Sequence, residues 1–249
     1  MMKHLILVFI IILTGCHLFN SSNQMTCQDK QQVCEYNQTI LKEAIDKFKA
    51  KGGAYYVMDM GSQEVVSGAV LNIDIHKPYH PSNIMKLFTY ASGLKFKQIT
   101  LKEVEFNTSH VKALEKISKE NLSEYYARLD LEEQTTPIQL LKSYTIFINS
   151  NDSKDLKPLL RNNVQNGAAK RTDIKEIDVY GLTSTEYKPD GKEVITTFIG
   201  HFSKHDKKYA LITILDEPQA LKSTWGFKTS GWNAVELAKN IILNIDSTH

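Results

Sequence analysis

Residues 79–89 read Tyr79-His80-Pro81-Ser82-Asn83-Ile84-Met85-Lys86-Leu87-Phe88-Thr89. The segment predicts a helix that begins near Ser82 and continues through Leu94. Side chains three or four positions apart share one face of a helix, so Asn83 faces the same way as Lys86. Ser82 does so only if the helix already includes it. A lysine beside a hydroxyl suits nucleophilic catalysis, but the nitrogen of an amide such as Asn83 is delocalised and forms no acyl intermediate.

This segment resembles the nucleophile segment of penicillin-binding proteins, the serine transpeptidases that crosslink peptidoglycan. Their pattern is roughly Tyr-x-Pro-Gly-Ser-Thr-x-Lys-x-Phe-Thr, and its serine attacks the substrate. The residues in register are Tyr79, Pro81, Lys86, Phe88 and Thr89. Asn83 stands at the nucleophile position, so the resemblance implies that ordinary acylation is lost. The alternative is that Ser82 is the nucleophile and Lys86 its base.

A second segment, Asn107-Thr108-Ser109-His110-Val111, is similar to the family's Ser-Ser-Asn-Val element. In the family, the first serine and the asparagine line the site and help to relay the proton. Thr108 and His110 take these two places, which keeps a hydroxyl but replaces an amide with an imidazole. Thr108 or Ser109 also fits the N-cap of a helix, which would have no catalytic role.

A third segment, Gly181-Leu182-Thr183-Ser184-Thr185, is similar to the family's Gly-Lys-Thr-Gly-Thr strand. There the lysine orients the substrate carboxylate, and the strand backbone helps to form the oxyanion hole. Leu182 replaces the lysine, which removes a cationic donor. Ser184 replaces a glycine, which adds a side chain beside the substrate. The resemblance assigns residues 182–185 to substrate binding.

The order of the predicted elements is that of a transpeptidase domain. Residues 54–60 and 64–70 predict a β-hairpin, and residues 177–185, 194–202 and 209–215 predict three further strands. The helix that starts Thr136-Pro137-Ile138-Gln139-Leu140 is similar to a Thr-Pro-x-Gln-Leu helix of the family. The resemblance covers residues 36–245. It implies an α+β fold of the penicillin-binding protein and β-lactamase kind, with an antiparallel sheet flanked by helices and a reduced helical subdomain.

The N-terminus predicts export. A basic start is followed by the apolar run Leu5 to Leu13 and then by Thr14-Gly15-Cys16. A membrane-spanning helix needs about 20 apolar residues, so this shorter run fits a secretory leader. The segment ending at Cys16 resembles the lipobox of bacterial lipoproteins, whose cysteine is acylated. We expect a signal peptide at 1–15, a lipidated Cys16 with a polar tether at 16–35, and the transpeptidase-like domain at 36–249.

Cys27 and Cys34 are the other two cysteines of the chain. An oxidising compartment would let them pair as a local disulfide. Metal binding is the weaker interpretation, because no histidine or third cysteine follows at a ligand spacing. We expect neither a metal nor a cofactor.

The charge of the chain excludes one class of partner. It has 30 basic and 28 acidic residues, for a net charge of +2 at pH 7. This balance gives no electrostatic argument for binding nucleic acid.

The three altered motifs favour a catalytically inactive domain. We expect it on the bacterial cell envelope, lipid-anchored to a membrane and facing the periplasm or the exterior, where it binds a peptidoglycan stem peptide or an envelope protein. One alternative is an active, divergent D,D-transpeptidase or carboxypeptidase that uses Ser82 and Lys86. Another is a purely structural subunit of an envelope complex, which exposed aromatic residues at Trp225, Phe227 and Trp232 would favour.

Overall fold

The computed structural model describes residues 27–104, 114–188, 194–219 and 230–245. Its helices and strands, in chain order, are α1 (Cys27–Phe48), β1 (Gly52–Asp59), β2 (Val65–Leu71), α2 (Ser82–Lys95), α3 (Lys119–Arg128), α4 (Pro137–Asn149), α5 (Lys157–Asn166), β3 (Val179–Tyr187), β4 (Val194–Lys204), β5 (Lys207–Asp216) and α6 (Ala234–Asn244). The α+β class that the sequence predicts is confirmed.

The five strands form one sheet in the order β2-β1-β5-β4-β3. Each neighbouring pair is antiparallel, and the predicted hairpin is the pair β1–β2. In the part of the chain that the structure describes, β3 is therefore an edge strand with one side unpaired. This edge position matters because β3 carries the predicted substrate-binding residues.

Helices cover both faces of the sheet, and two separate cores result. Ala54, Tyr56 and Met58 of β1 face a core shared with α2 and α4. Tyr55 and Val57, the residues between them, face a second core shared with α1 and α6. Because a strand buried on both faces needs apolar residues at successive positions, β1 shows no polar alternation. The candidate site lies on the side of α2 and α4.

The described chain between α2 and α4 contains one α-helix, α3, and short 3₁₀ turns. Tyr125 and Tyr126 of α3 are buried in the core of α2 and α4. This short connection agrees with the reduced helical subdomain that the sequence predicts.

Helix α1 begins at Cys27, ahead of residue 36, where the polar sequence predicts that order starts. Helical backbone hydrogen bonds need no apolar period, so the sequence pattern does not reveal this first part of the helix. Cys27 and Cys34 lie seven positions apart in it, about 10 Å along the axis. Disulfide-linked Cα atoms are about 4–7 Å apart, so pairing would require the helix to unwind there. The two side chains and Cys16 lie outside what the structure describes, and the disulfide and the lipid anchor stay predictions.

Within the described ranges, none of the helices combines the length and the apolar character that crossing a membrane requires.

Candidate functional site

The candidate site lies where the start of α2 meets strand β3. The helix includes Ser82, and the amides of Ile84 and Met85 donate to the carbonyl of Pro81 at 2.8 and 3.0 Å. Ser82 therefore belongs to the helix, four positions before Lys86. The side chain of Ser82 lies outside the described part of the structure, so its role as a nucleophile stays a prediction.

Tyr79, three residues ahead of α2, pairs through its backbone with Thr135. The amide of Tyr79 donates to the carbonyl of Thr135 at 3.1 Å, and the amide of Thr135 donates back to the carbonyl of Tyr79 at 3.0 Å. Thr135 directly precedes the cap of α4, so α2 and α4 start side by side. Burial raises the pKa of the Tyr79 hydroxyl, which therefore stays protonated at neutral pH.

Ser184 of β3 forms a hydrogen bond with the first turn of α2. Its side chain is 1% exposed, and its Oγ accepts a hydrogen bond from the backbone N–H of Asn83 at 3.3 Å. In an acyl-transfer site, amides of this kind must be free to bind the oxyanion that develops on the substrate. The amide at the predicted nucleophile position is therefore already bonded within the protein.

Leu182 has joined the core instead of lining a polar cleft. It is 3% exposed and packs in the same apolar cluster as α2 and α4. Leu182 and Ser184 lie on one face of β3, because alternate residues of a strand point the same way. Thr183 and Thr185 point to the opposite face and are half-buried. The structure thus brings Ser184 against Asn83, and Leu182, on the same face of β3, supplies no cationic chemistry.

Lys86 is the remaining charged residue of the motif in α2. It is half-buried, and this desolvation lowers the pKa of its ammonium group. A lowered pKa favours the neutral amine, which is the form that a general base requires. Asn83 offers that base no proton whose removal would create a nucleophile.

Several predicted residues cannot be placed. Thr108, His110, Trp225 and Phe227 lie outside the described residues. Trp232 is described and half-buried, and the guanidinium of Arg171 lies 4.0 Å from the centre of its ring. This cation–π contact gives Trp232 a partner within the domain. Among the described residues, no group of three or more His, Cys, Asp or Glu side chains could hold a metal ion.

Two contacts at the candidate site were not predicted from the sequence. The Tyr79–Thr135 pairing consists of backbone hydrogen bonds and has no signature in the side chains. The bond between Ser184 and Asn83 joins residues that are 101 positions apart. The exchange of a glycine for Ser184 is the one signal that pointed to it, because a hydroxyl added beside a helix start can accept a hydrogen bond from a backbone amide.

The five-stranded sheet with helices on both faces, and the helix that begins against its edge strand β3, form the fold of a penicillin-binding protein transpeptidase domain. The chain matches the transpeptidase domain of the D,D-transpeptidase FtsI4 from Legionella pneumophila with a TM-score of 0.71 and 16% identity, covering 85% of this chain and 95% of that one. The transpeptidase domain of penicillin-binding protein 3 from Burkholderia pseudomallei matches with a TM-score of 0.68 and 16% identity, covering 90% of this chain and 99% of that one.

A D,D-transpeptidase domain from Eggerthella lenta matches with a TM-score of 0.63 and 13% identity, covering 83% of this chain and 80% of that one. No family model matches the sequence, and no curated protein matches it. At these low identities the likeness establishes the fold, and the chemistry must be argued from this chain's own residues.

Proposed function

We propose that this chain is a catalytically inactive, transpeptidase-like domain of the cell envelope that binds an extended peptide without turning it over. The observation that carries the proposal is the hydrogen bond from the Asn83 amide to the Ser184 hydroxyl. The bond occupies the amide of a residue that has no nucleophilic side chain, at the position where a transpeptidase would bind an oxyanion.

Among the described residues, β3 has no strand partner on its outer edge, and side chains of α5 donate to the carbonyls of Val179 and Gly181 at 3.1 and 2.9 Å. The part of this edge that follows Gly181 supports a binding role. An extended peptide can add to such an edge through main-chain hydrogen bonds, while pockets beside alternate side chains select its sequence. Tyr187, at the end of β3, is 65% exposed and adds an aromatic contact surface beside this edge. The two candidate ligands are a peptidoglycan stem peptide and an extended segment of an envelope protein. The buried Leu182 provides no charge for a terminal carboxylate, which favours the protein segment.

The place of action rests on the N-terminal sequence. A signal peptide at 1–15 and a lipidated Cys16 would deliver the domain to the outer surface of a membrane and keep it there. The polar residues that follow would let the domain reach ligands in the periplasm or outside the cell.

One observation favours a second candidate function, an active transpeptidase or carboxypeptidase. Helix α2 includes Ser82, four residues before Lys86, which is the helical start that this alternative requires. A lysine with a lowered pKa on that face is a suitable base for a serine. The bond between Ser184 and Asn83 leaves this possibility open, because Ser82 would use a different amide.

Labelling with a fluorescent penicillin separates the two functions. The mature chain, its Ser82→Ala variant and its Lys86→Met variant would each be incubated with the drug and measured by intact mass and by gel fluorescence. The proposal predicts no covalent adduct on any of the three proteins, each shown to be folded by circular dichroism. An adduct that is lost in both variants would contradict the proposal and identify Ser82 as the nucleophile.

A further inference from the structure

A second polar cluster lies nearer the start of β3, apart from the candidate site. Its centre is His201 of β4, whose ring stacks on that of Tyr180 with centroids 4.6 Å apart and an interplanar angle of 10°. Tyr180 precedes Ser184 by four residues, about 13 Å along an extended strand. The two clusters therefore occupy different parts of the same face of the sheet.

The buried hydroxyl of Tyr144 in α4 fixes which ring nitrogen of His201 carries the proton. Tyr144 is 0% exposed, and its oxygen lies 2.9 Å from Nδ1 of His201. A buried hydroxyl needs an acceptor, and the lone pair on Nδ1 supplies one. The ring proton of the neutral imidazole is then on Nε2. Burial and the charges of Lys157 and Lys208 lower the pKa of His201 to about 3, so this tautomer is present at neutral pH.

Two lysines add positive charge to the surroundings of His201. Lys208 lies two residues before Ala210, the cross-strand partner of His201, and therefore shares its face of the sheet as a diagonal neighbour. Lys157 is the first residue of α5, and the adjacent Leu156 is fully buried in the core that also contains Tyr144. Desolvation and the charge of Lys208 lower the pKa of Lys157.

Among the described residues, neither of these two lysines is ion-paired with a carboxylate. The ion pairs of the described residues join other lysines and arginines to acidic groups, and neither Lys157 nor Lys208 takes part in one. Like charges held together on a partly buried surface repel each other more strongly than in bulk water. An anion bound between the two ammonium groups would attract both and offset their repulsion.

We propose that Lys157, Lys208 and the Nε2–H of His201 form a binding site for a phosphate-type oxyanion. Two ammonium groups and one oriented N–H provide three donors for the oxygens of a single tetrahedral group, and hydrogen bonds from charged donors to oxyanions are the stronger kind. The phosphate is either a free ion or ester, or the headgroup of an anionic lipid. The site does not depend on whether the domain is catalytically active.

Phosphate titration followed by NMR tests the proposal on the full-length protein in non-ionic detergent at pH 7.5. The Hε1 resonance of His201, assigned by its loss in His201→Gln, should shift saturably with inorganic phosphate and not with an equal ionic strength of chloride. Lys157→Met and Lys208→Met should each weaken binding about threefold to fivefold, as expected for partly exposed charge contacts. Lys207→Met is the matched control, because it removes the same charge at the neighbouring position on the opposite face of β5, and it should leave the affinity unchanged.

Vesicle flotation separates the two sources of phosphate. Phosphatidylglycerol vesicles are compared with phosphatidylcholine vesicles for the chain without a lysine change, Lys207→Met and the double variant Lys157→Met/Lys208→Met, each combined with Cys16→Ser so that no lipid anchor contributes. A lipid headgroup as ligand predicts that the double variant alone loses its preference for phosphatidylglycerol, whereas a free phosphate as ligand predicts equal flotation of all three proteins together with the NMR shift. An unmoved His201 resonance, or an equal phosphate affinity of the double variant and the wild type, would overturn the site.

Discussion

Helices α2 and α4 lie on the same face of the sheet and begin side by side, yet their first turns are completed in different ways. In α4, the Thr136 side chain accepts the amide of Gln139 at 3.3 Å, and Pro137 occupies the first turn. In α2, the cap residue Pro81 makes no side-chain cap hydrogen bond, and the amide of Asn83 donates to the Ser184 hydroxyl of β3. The start of α4 is thus encoded locally. The start of α2 depends on the strand that would otherwise face a substrate.

The largest predicted effect tests whether the two helices are equally fixed in their shared core. Phe88 of α2 and Phe147 of α4 are both 0% exposed, and their rings meet edge to face with centroids 5.7 Å apart. Phe88→Ala and Phe147→Ala should each lower the free energy of unfolding by about 3–5 kcal/mol, because each leaves a cavity. Urea unfolding followed by circular dichroism gives these values. A loss below 1 kcal/mol for Phe88→Ala alone would show that α2 is less firmly packed than α4.

The second prediction concerns the polar contact that α4 makes with the sheet through Tyr144. The pKa of His201 is lowered to about 3 in the folded protein, against about 6.5 in an unfolded chain. The unfolded state therefore takes up the proton first as the pH falls. The stabilising contribution is fully present above pH 6.5 and is lost progressively toward pH 3, by at most about 1.4 kcal/mol per pH unit.

The window from pH 6.5 to 5 isolates this effect, because most carboxyl groups are still ionised there. Over it the wild type should lose up to about 2 kcal/mol of unfolding free energy, whereas His201→Gln should show a flatter profile. Among the described residues, the titratable and charged groups that face His201 are Tyr144, Tyr180, Lys157 and Lys208. Equal slopes for the two proteins would show that the imidazole is not held neutral.

The third prediction removes the contact that completes α2. Ser184→Ala leaves the Asn83 amide without its acceptor and should cost about 1–2 kcal/mol of unfolding free energy. Thr183→Ala is the matched control, since the neighbouring side chain points to the opposite face of β3. Hydrogen exchange followed by mass spectrometry should show faster exchange at the start of α2 in Ser184→Ala only. Unchanged exchange there would mean that the hydroxyl of Ser184 is dispensable for the start of this helix.

The difference between the two helices also explains which features could be predicted from the sequence. Thr136-Pro137 and the apolar stripe after it specify a helix within a few residues, so the sequence predicts α4 closely. The strands follow likewise from their β-branched runs and turns. The element order then suffices for the transpeptidase-like fold, which the structural comparisons confirm.

The side chains of the candidate site could be predicted from the sequence, but the contacts between them could not. Asn83 and Leu182 predict a loss of acylation chemistry, because a single residue type decides whether a nucleophile or a cation is present. The bond between Ser184 and Asn83 and the cluster around His201 arise from residues far apart in the chain. The packing of α2 against β3 determines the first, and the register of β4 with its neighbouring strands determines the second. The pattern along one sequence does not show which distant residues come into contact.

The smallest predicted effect is at the cap of α4. Thr136→Ala should lower the free energy of unfolding by about 1 kcal/mol, since the amide of Gln139 loses its acceptor, and Thr136→Ser should restore most of it. The two caps should also differ in how far the damage spreads. Loss of the local cap should speed hydrogen exchange in the first turn of α4 alone, whereas Ser184→Ala should affect both α2 and β3. Should Thr136→Ala also loosen the start of α2, the backbone pairing of Tyr79 with Thr135 couples the two helices, and they are one structural unit instead of two.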